Sequence, residues 1–127
     1  MSVGIVDTTV ILHYFRKNPN ARLWVDAQVA PLSVTAITWM EVMQGAGSMA
    51  SQTLCKNILA KFELLYVSLT DQVWAMQQLE RLQFSHHIGM HDCIIAAVAN
   101  RLQLPLCTHN LKDMTPLVGS LAIKPYS

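Results

Sequence analysis

Residues 2–15 read SVGIVDTTVILHYF and set one carboxylate, Asp7, between the apolar runs Val3 to Val6 and Val10 to Phe15. The first run is short and apolar at successive positions, which predicts a strand buried on both faces, as in the middle of a parallel sheet. The second run predicts a helix over 8–17, stopped by Asn18-Pro19 because the residue before a proline is disfavoured in helical conformation. A strand, an acid and a helix in immediate succession open a βαβ unit and leave Asp7 at the carboxyl end of the strand. Two roles fit that position. Asp7 can be the N-cap of the helix, or it can work in the crevice that open parallel sheets form at their strand ends.

The same alternation continues along the chain. Strands are expected at LSVTAIT (32–38), ELLYVSL (63–69), LPLCT (104–108) and SLAIKP (120–125). Helices are expected over roughly 21–28, 39–45, 51–62, 71–83 and 91–104. The last of these is apolar nearly all round from Cys93 to Ala99, and so should be buried. Strands interleaved with about six helices give an α/β fold: a three-layer α/β/α sandwich with a central, mainly parallel five-stranded sheet, Rossmann-like, in a single domain over 1–127.

Composition narrows the function classes. Apolar residues make up 52% and charged residues 13%, against a usual charged share of about 25%, which excludes a disordered chain. No apolar run approaches the roughly 18 residues of a membrane span. Asp7 interrupts the first apolar run and no basic leader precedes it, so a cytoplasmic protein is expected. A net charge of +1 speaks against a bulk polyanion binder, so any nucleic-acid contact should be local. Cys55, Cys93 and Cys107 have no C-x-x-C spacing and are expected as reduced, mostly buried thiols.

The chain has eight acidic residues, and four of them share an address. Asp7 follows the first strand, Glu41 lies just past the second, Asp92 opens the buried helix and Asp113 follows LPLCT. If the first strand is central, all four converge where strand order reverses. Each has a structural reading as well. Asp7 can be a cap, and Thr38-Trp39-Met40-Glu41 fits a capping box. Asp92 can favour a helix dipole, and Asn110 to Asp113 can form a turn or another cap. Capping does not explain why all four fall at one edge of one sheet.

Packed carboxylates are tolerated only where protons or cations neutralise them. All-oxygen, acid-rich sites suit Mg²⁺ or Mn²⁺, and such metals serve phosphodiester hydrolysis. The hydroxyls of Thr8, Thr9, Thr38 and Thr108 and the amide of Asn110 stand beside the acids in sequence and are expected to orient them.

The blocks VGIVDTTVIL, TAITWMEVMQG, GMHDCIIAAVA and CTHNLKDM, taken in order and each with its acid, resemble those of PIN-domain ribonucleases, especially the VapC toxin type. The resemblance runs from Val3 to about Pro125. It implies a metal-dependent ribonuclease with a Rossmann-like sheet, a homodimer, and a VapB-type antitoxin as partner. Carried over by position, the catalytic and metal-binding acids are Asp7, Glu41, Asp92 and Asp113, with Thr8, Thr38 and Asn110 in support. The implied reaction uses metal-activated water and leaves 5′-phosphate and 3′-hydroxyl ends on RNA. Some positions depart from the family pattern. Thr9 stands where Asn is frequent, Met114 where Phe is, Gln44 where many relatives carry a basic residue, and Cys93 replaces an aliphatic one. None of these removes an acid.

Other features point elsewhere. His87 and His91, with His86 alongside, have a spacing that holds zinc on a helix, but Gly89 between them predicts loop, and solvated histidines are expected. Arg16, Lys17 and Arg22 flank the Asn18-Pro19 break as candidates for gripping an RNA backbone. A haloacid-dehalogenase-like phosphatase also begins with a strand and an Asp, but needs a second Asp where Thr9 stands. A stand-alone RNA-processing PIN nuclease and a catalytically inert interaction module complete the alternatives.

Overall fold

The structure is a computed structural model that describes residues 2–127. Five strands form one parallel sheet: β1 (Ile5–Val6), β2 (Ser33–Thr35), β3 (Glu63–Leu65), β4 (Leu106–Cys107) and β5 (Ala122–Ile123), in the order β3-β2-β1-β4-β5. The first strand is therefore central. The chain moves outward through β2 and β3, then returns to the other side of β1, so strand order reverses between β1 and β4. Ile5 pairs with Ser33 on one side and Leu106 on the other, and Val6 pairs with Cys107.

Successive residues of the short central strands point to opposite faces, and each face has its own core. Ile5 and Leu106 join a cluster with Ala75, Ile95, Val98, Met114 and Leu117. Val6 and Cys107 join the other, with Val10, Ile11, Val34, Val42 and Leu59. Burial on both faces explains the unbroken apolar run at the N-terminus. The expected three-layer α/β/α sandwich with a five-stranded parallel sheet is the fold observed.

Seven α-helices cover the sheet: α1 (Thr8–Phe15), α2 (Pro19–Asp26), α3 (Ala36–Gln44), α4 (Met49–Leu59), α5 (Leu69–His86), α6 (Met90–Leu102) and α7 (Leu111–Val118). The boundaries correct the sequence reading in several places. The strand expected over 32–38 ends at Thr35, whose side chain caps α3 by accepting from Thr38 N. Thr38 is therefore inside the helix, not the start of a capping box. The working capping box is Ser68 with Asp71, at the start of α5. Proline at its first position begins α2 instead of merely ending α1, since proline's missing N–H has no helical partner there in any case. The unexpected helix is α7. The histidine loop is also smaller than expected: His86 ends α5, His87 follows in left-handed backbone, and His91 lies in the first turn of α6.

Candidate active site

Asp7 is both a cap and a buried carboxylate. Its Oδ1 accepts from the N–H groups of Thr9 (3.1 Å) and Val10 (3.4 Å), donors that the first turn of α1 would otherwise leave unpaired. The Thr9 hydroxyl donates to the same oxygen, and the Thr108 hydroxyl donates to Oδ2. Both hydroxyls are themselves held by the β4–α7 loop. His109 N–H donates to Thr9 Oγ1 at 3.3 Å, and Asn110 N–H donates to Thr108 Oγ1 at 2.8 Å. The loop across the strand-order reversal thus fixes the carboxylate at the end of the central strand. Burial raises the Asp7 carboxyl above its ordinary value, against the pull of these four hydrogen bonds.

Glu41 projects from α3 toward the same edge. Thr8 Oγ1 donates to its Oε1 at 2.8 Å and lies 3.1 Å from Thr38 Oγ1. A carboxylate has no proton to give, so Thr8's single proton goes to Glu41, and Thr38 becomes the donor to Thr8. Thr38 is fully buried, which anchors this end of the chain of hydroxyls. Asp113, in the first turn of α7, accepts from Asn110 Nδ2 at 2.9 Å.

Asp92, in the first turn of α6, feels burial and charge but no hydrogen bond. Desolvation and the negative charges of Asp113, Asp7 and Glu41, in that order, push it from 3.8 up to about 6, against a smaller opposite pull from His91. The three other acids therefore act on one carboxyl from three different elements. As the side chains stand, no three His, Cys, Asp or Glu among the described residues are close enough to share one metal ion. The charges of Asp113, Asp7 and Glu41 all bear on Asp92.

Two further groups stand here; the sequence pointed to His91 only through its zinc-like spacing from His87, and not to the second. His91 places Nδ1 3.2 Å from Glu41 Oε2, with half of its side chain exposed. His13, His109 and Tyr126 pack together beyond Asp7, with His13 Nδ1 2.8 Å from the Tyr126 hydroxyl and the His109 and Tyr126 rings 4.3 Å apart. Asp7's charge and, chiefly, burial push Tyr126 up to about 12. The His91–Glu41 and His13–Tyr126 contacts join positions 50 and 113 apart and leave no local signal.

Arg16, Lys17 and Arg22 are not brought to the acids. Helix α1 starts at Asp7 and runs back along the sheet, about 12 Å for its eight residues, which carries Arg16 and Lys17 toward the opposite edge. Arg22 donates from Nε to Tyr14 O at 3.1 Å and lays its guanidinium 4.6 Å from the Tyr14 ring centre. The basic cluster expected to grip RNA is a separate surface.

The comparisons agree with this architecture. A family model described as PIN domain matches residues 4–112. No curated protein matches the chain significantly. Among solved structures, a toxin-antitoxin complex from Klebsiella pneumoniae is 25% identical with a TM-score of 0.79, over 97% of this chain and 98% of that one. A DNA-bound VapBC from Salmonella typhimurium is 24% identical with a TM-score of 0.78, over 94% and 95%. VapBC-1 from nontypeable Haemophilus influenzae is 26% identical with a TM-score of 0.71, over 87% and 89%. These matches set aside the haloacid-dehalogenase reading, whose strand-and-Asp opening is the only feature shared. With the family model spanning all but the ends of the chain, and with the sheet order and acid positions just described, the chain belongs to the PIN domain family.

Proposed function

We propose that this protein is a divalent-metal-dependent endoribonuclease, the toxin of a type II toxin-antitoxin pair, acting as a single cytoplasmic PIN domain. The observation that carries the reading is Asp92, a carboxyl on which three other acids impose their charge at the reversal of strand order. A structural cluster would be expected to relieve such repulsion with a basic partner, as Arg101 does for Asp71 through bonds of 2.8 and 3.0 Å. Here Asp92 meets three like charges and only a smaller opposing pull from His91, an arrangement that suits a cationic ligand.

The donor set is all oxygen and acidic, which fits Mg²⁺ or Mn²⁺ and not a soft metal. Asp7, Glu41, Asp92 and Asp113 would hold the ion. When bound, the ion supplies positive charge to phosphate oxygens and makes water a better nucleophile. The chain's own groups prepare the site. Thr9 and Thr108 lock both oxygens of Asp7, Thr38 and Thr8 orient Glu41, and Asn110 orients Asp113. Burial and the neighbouring acids push Asp92 up to about 6, and a bound cation would favour its ionised form. Thr108 and Asn110 act on carboxylates and not on substrate.

The partner follows from the likeness to toxin-antitoxin complexes: a VapB-type antitoxin. A homodimer is also proposed. An apolar groove of about 530 Å³ between α3, α5 and α6, lined by Met40, Tyr66, Met76, Leu79, Met90 and Ile94, leaves large side chains in solvent. Sedimentation over a hundredfold concentration range should show a dimer, and a monomer throughout would remove that part of the proposal. The central test is RNA cleavage with and without Mn²⁺, run beside Asp7→Asn. Cleavage that needs Mn²⁺ and is lost in the variant supports the nuclease. A wild-type protein inert on all RNA tested with Mn²⁺ would favour the interaction module.

A further inference from the structure

Resting on the metal-dependent reading above, we propose that His91 is a positioning residue that holds Glu41 ready for the divalent ion. Glu41 is unlike Asp7 in reach: it carries three side-chain torsions, lies partly exposed, and projects across from α3 to the start of α6. Left alone, so long a carboxylate would sample several rotamers and turn toward water, away from three like charges. Two donors from two other elements prevent this. Thr8 at the start of α1 holds Oε1 at 2.8 Å, and His91 at the start of α6 stands 3.2 Å from Oε2.

The chemistry fixes the direction of the second contact. Ionised Glu41 can only accept, so His91 Nδ1 carries the proton, and a neutral imidazole is sufficient to donate it. One hydrogen bond per oxygen leaves further lone pairs on each for a cation. The contact also spans the gap between the helix that carries Glu41 and the one that carries Asp92, setting the spacing of two of the four acids. Donors that fix a ligating carboxylate are typically worth 10–100-fold in metal affinity. The histidine expected from the sequence to be a solvated loop residue thus acquires a task.

The test uses Mn²⁺ alone, titrated calorimetrically into metal-free protein, with melting temperatures in EDTA measured in parallel. His91→Ala should weaken Mn²⁺ binding about tenfold or more and leave the metal-free melting temperature close to wild type, because the contact is half exposed. His91→Asn should recover most of the affinity, since its amide places a donor near the position of Nδ1. In RNA cleavage, His91→Ala should need more Mn²⁺ for half-maximal rate and approach wild-type kcat at saturation. Unchanged or tighter Mn²⁺ binding in His91→Ala overturns the proposal while leaving the metal site intact, as does a large fall in metal-free stability that Asn does not restore. Absence of Mn²⁺ binding by the wild type would overturn both this proposal and the metal-dependent reading beneath it.

Discussion

Replacing Asp92 with asparagine keeps the shape of the side chain and removes its charge, and the structure sets both the sign and the size of the result. Raising a carboxyl from 3.8 to about 6 corresponds to about 3 kcal/mol at ~1.4 kcal/mol per pH unit. The side chain is only partly buried, so solvent screening reduces this to about 2 kcal/mol. A group raised on folding binds more protons folded than unfolded. Its favourable contribution is complete below 3.8 and is lost as pH rises through about 6. Asparagine does not titrate. Without metal, Asp92→Asn should therefore match wild type near the unfolded value, pull ahead through pH 6, and hold an advantage of about 2 kcal/mol above pH 7.

For a domain of this size about 2 kcal/mol moves the melting temperature by roughly 6–10 °C. Melts in EDTA across pH 4–8 read this directly as the difference between the two proteins. Adding Mn²⁺ at a hundred times its Kd should raise wild type by about 2.7 kcal/mol and the variant by less, erasing the advantage. A gap that does not change with pH, or a variant less stable than wild type at pH 8 in EDTA, would refute the account of Asp92 as a carboxyl under repulsion.

Asp7, raised by burial as Asp92 is, differs in also capping α1. Asp7→Ala removes a helix cap and strands the fully buried Thr108 hydroxyl, so the metal-free protein should lose about 1–3 kcal/mol in urea unfolding. At the α5–α6 pair, burial would raise the Asp71 carboxyl, but Arg101 and Ser68 hold it below its ordinary value. Arg101→Ala should cost about 2–3 kcal/mol at neutral pH, read by chemical denaturation. That deficit should close as pH falls below 3.8 toward the lower folded value, because the pair's contribution is lost there in wild type. Ile95→Ala, at a site 1% exposed, should cost about 2–5 kcal/mol through the cavity it leaves, without changing the Mn²⁺ concentration that half-saturates the protein.

The fold was legible where local and global preferences coincide. Of Val3 to Val6, read as a doubly buried strand, Ile5 and Val6 form that strand while Val3 lies exposed before it, and Cys93 to Ala99 reads as a buried helix because α6 packs into the core on that side of the sheet. Errors cluster where one residue serves two elements. Thr35 ends β2 and caps α3, so the β-branched residues after it looked like more strand although a hydroxyl had already turned the chain helical. Helix α7 was missed because Pro116 lies inside it. With only two residues following, that proline removes a single bond near the helix end, a cost the burial of Met114 and Leu117 can offset.

The candidate site was legible in its acids and in the hydroxyls and amide that hold them, and illegible in which acid each one holds, and the reason bears on what Asp7 is for. An acid at a strand end is a local feature. The donors that hold it come from distant positions: Thr108 for Asp7, Thr8 and His91 for Glu41. Capping and chemistry, which looked like competing explanations of each acid, turn out to be one arrangement. The first turn of a helix supplies N–H groups and positive potential, and a carboxylate bound there is partly compensated before any cation arrives. Asp7 draws on that compensation through two N–H groups and two hydroxyls, and burial still holds its carboxyl above its ordinary value. Glu41 and Asp113 replace it with hydroxyl, imidazole and amide donors. Asp92 alone of the four accepts no hydrogen bond among the described residues, and burial followed by the charges of the other three raises its carboxyl. Three of the four acids are held by donors, and the charge of those three falls on the fourth, while burial raises both Asp7 and Asp92.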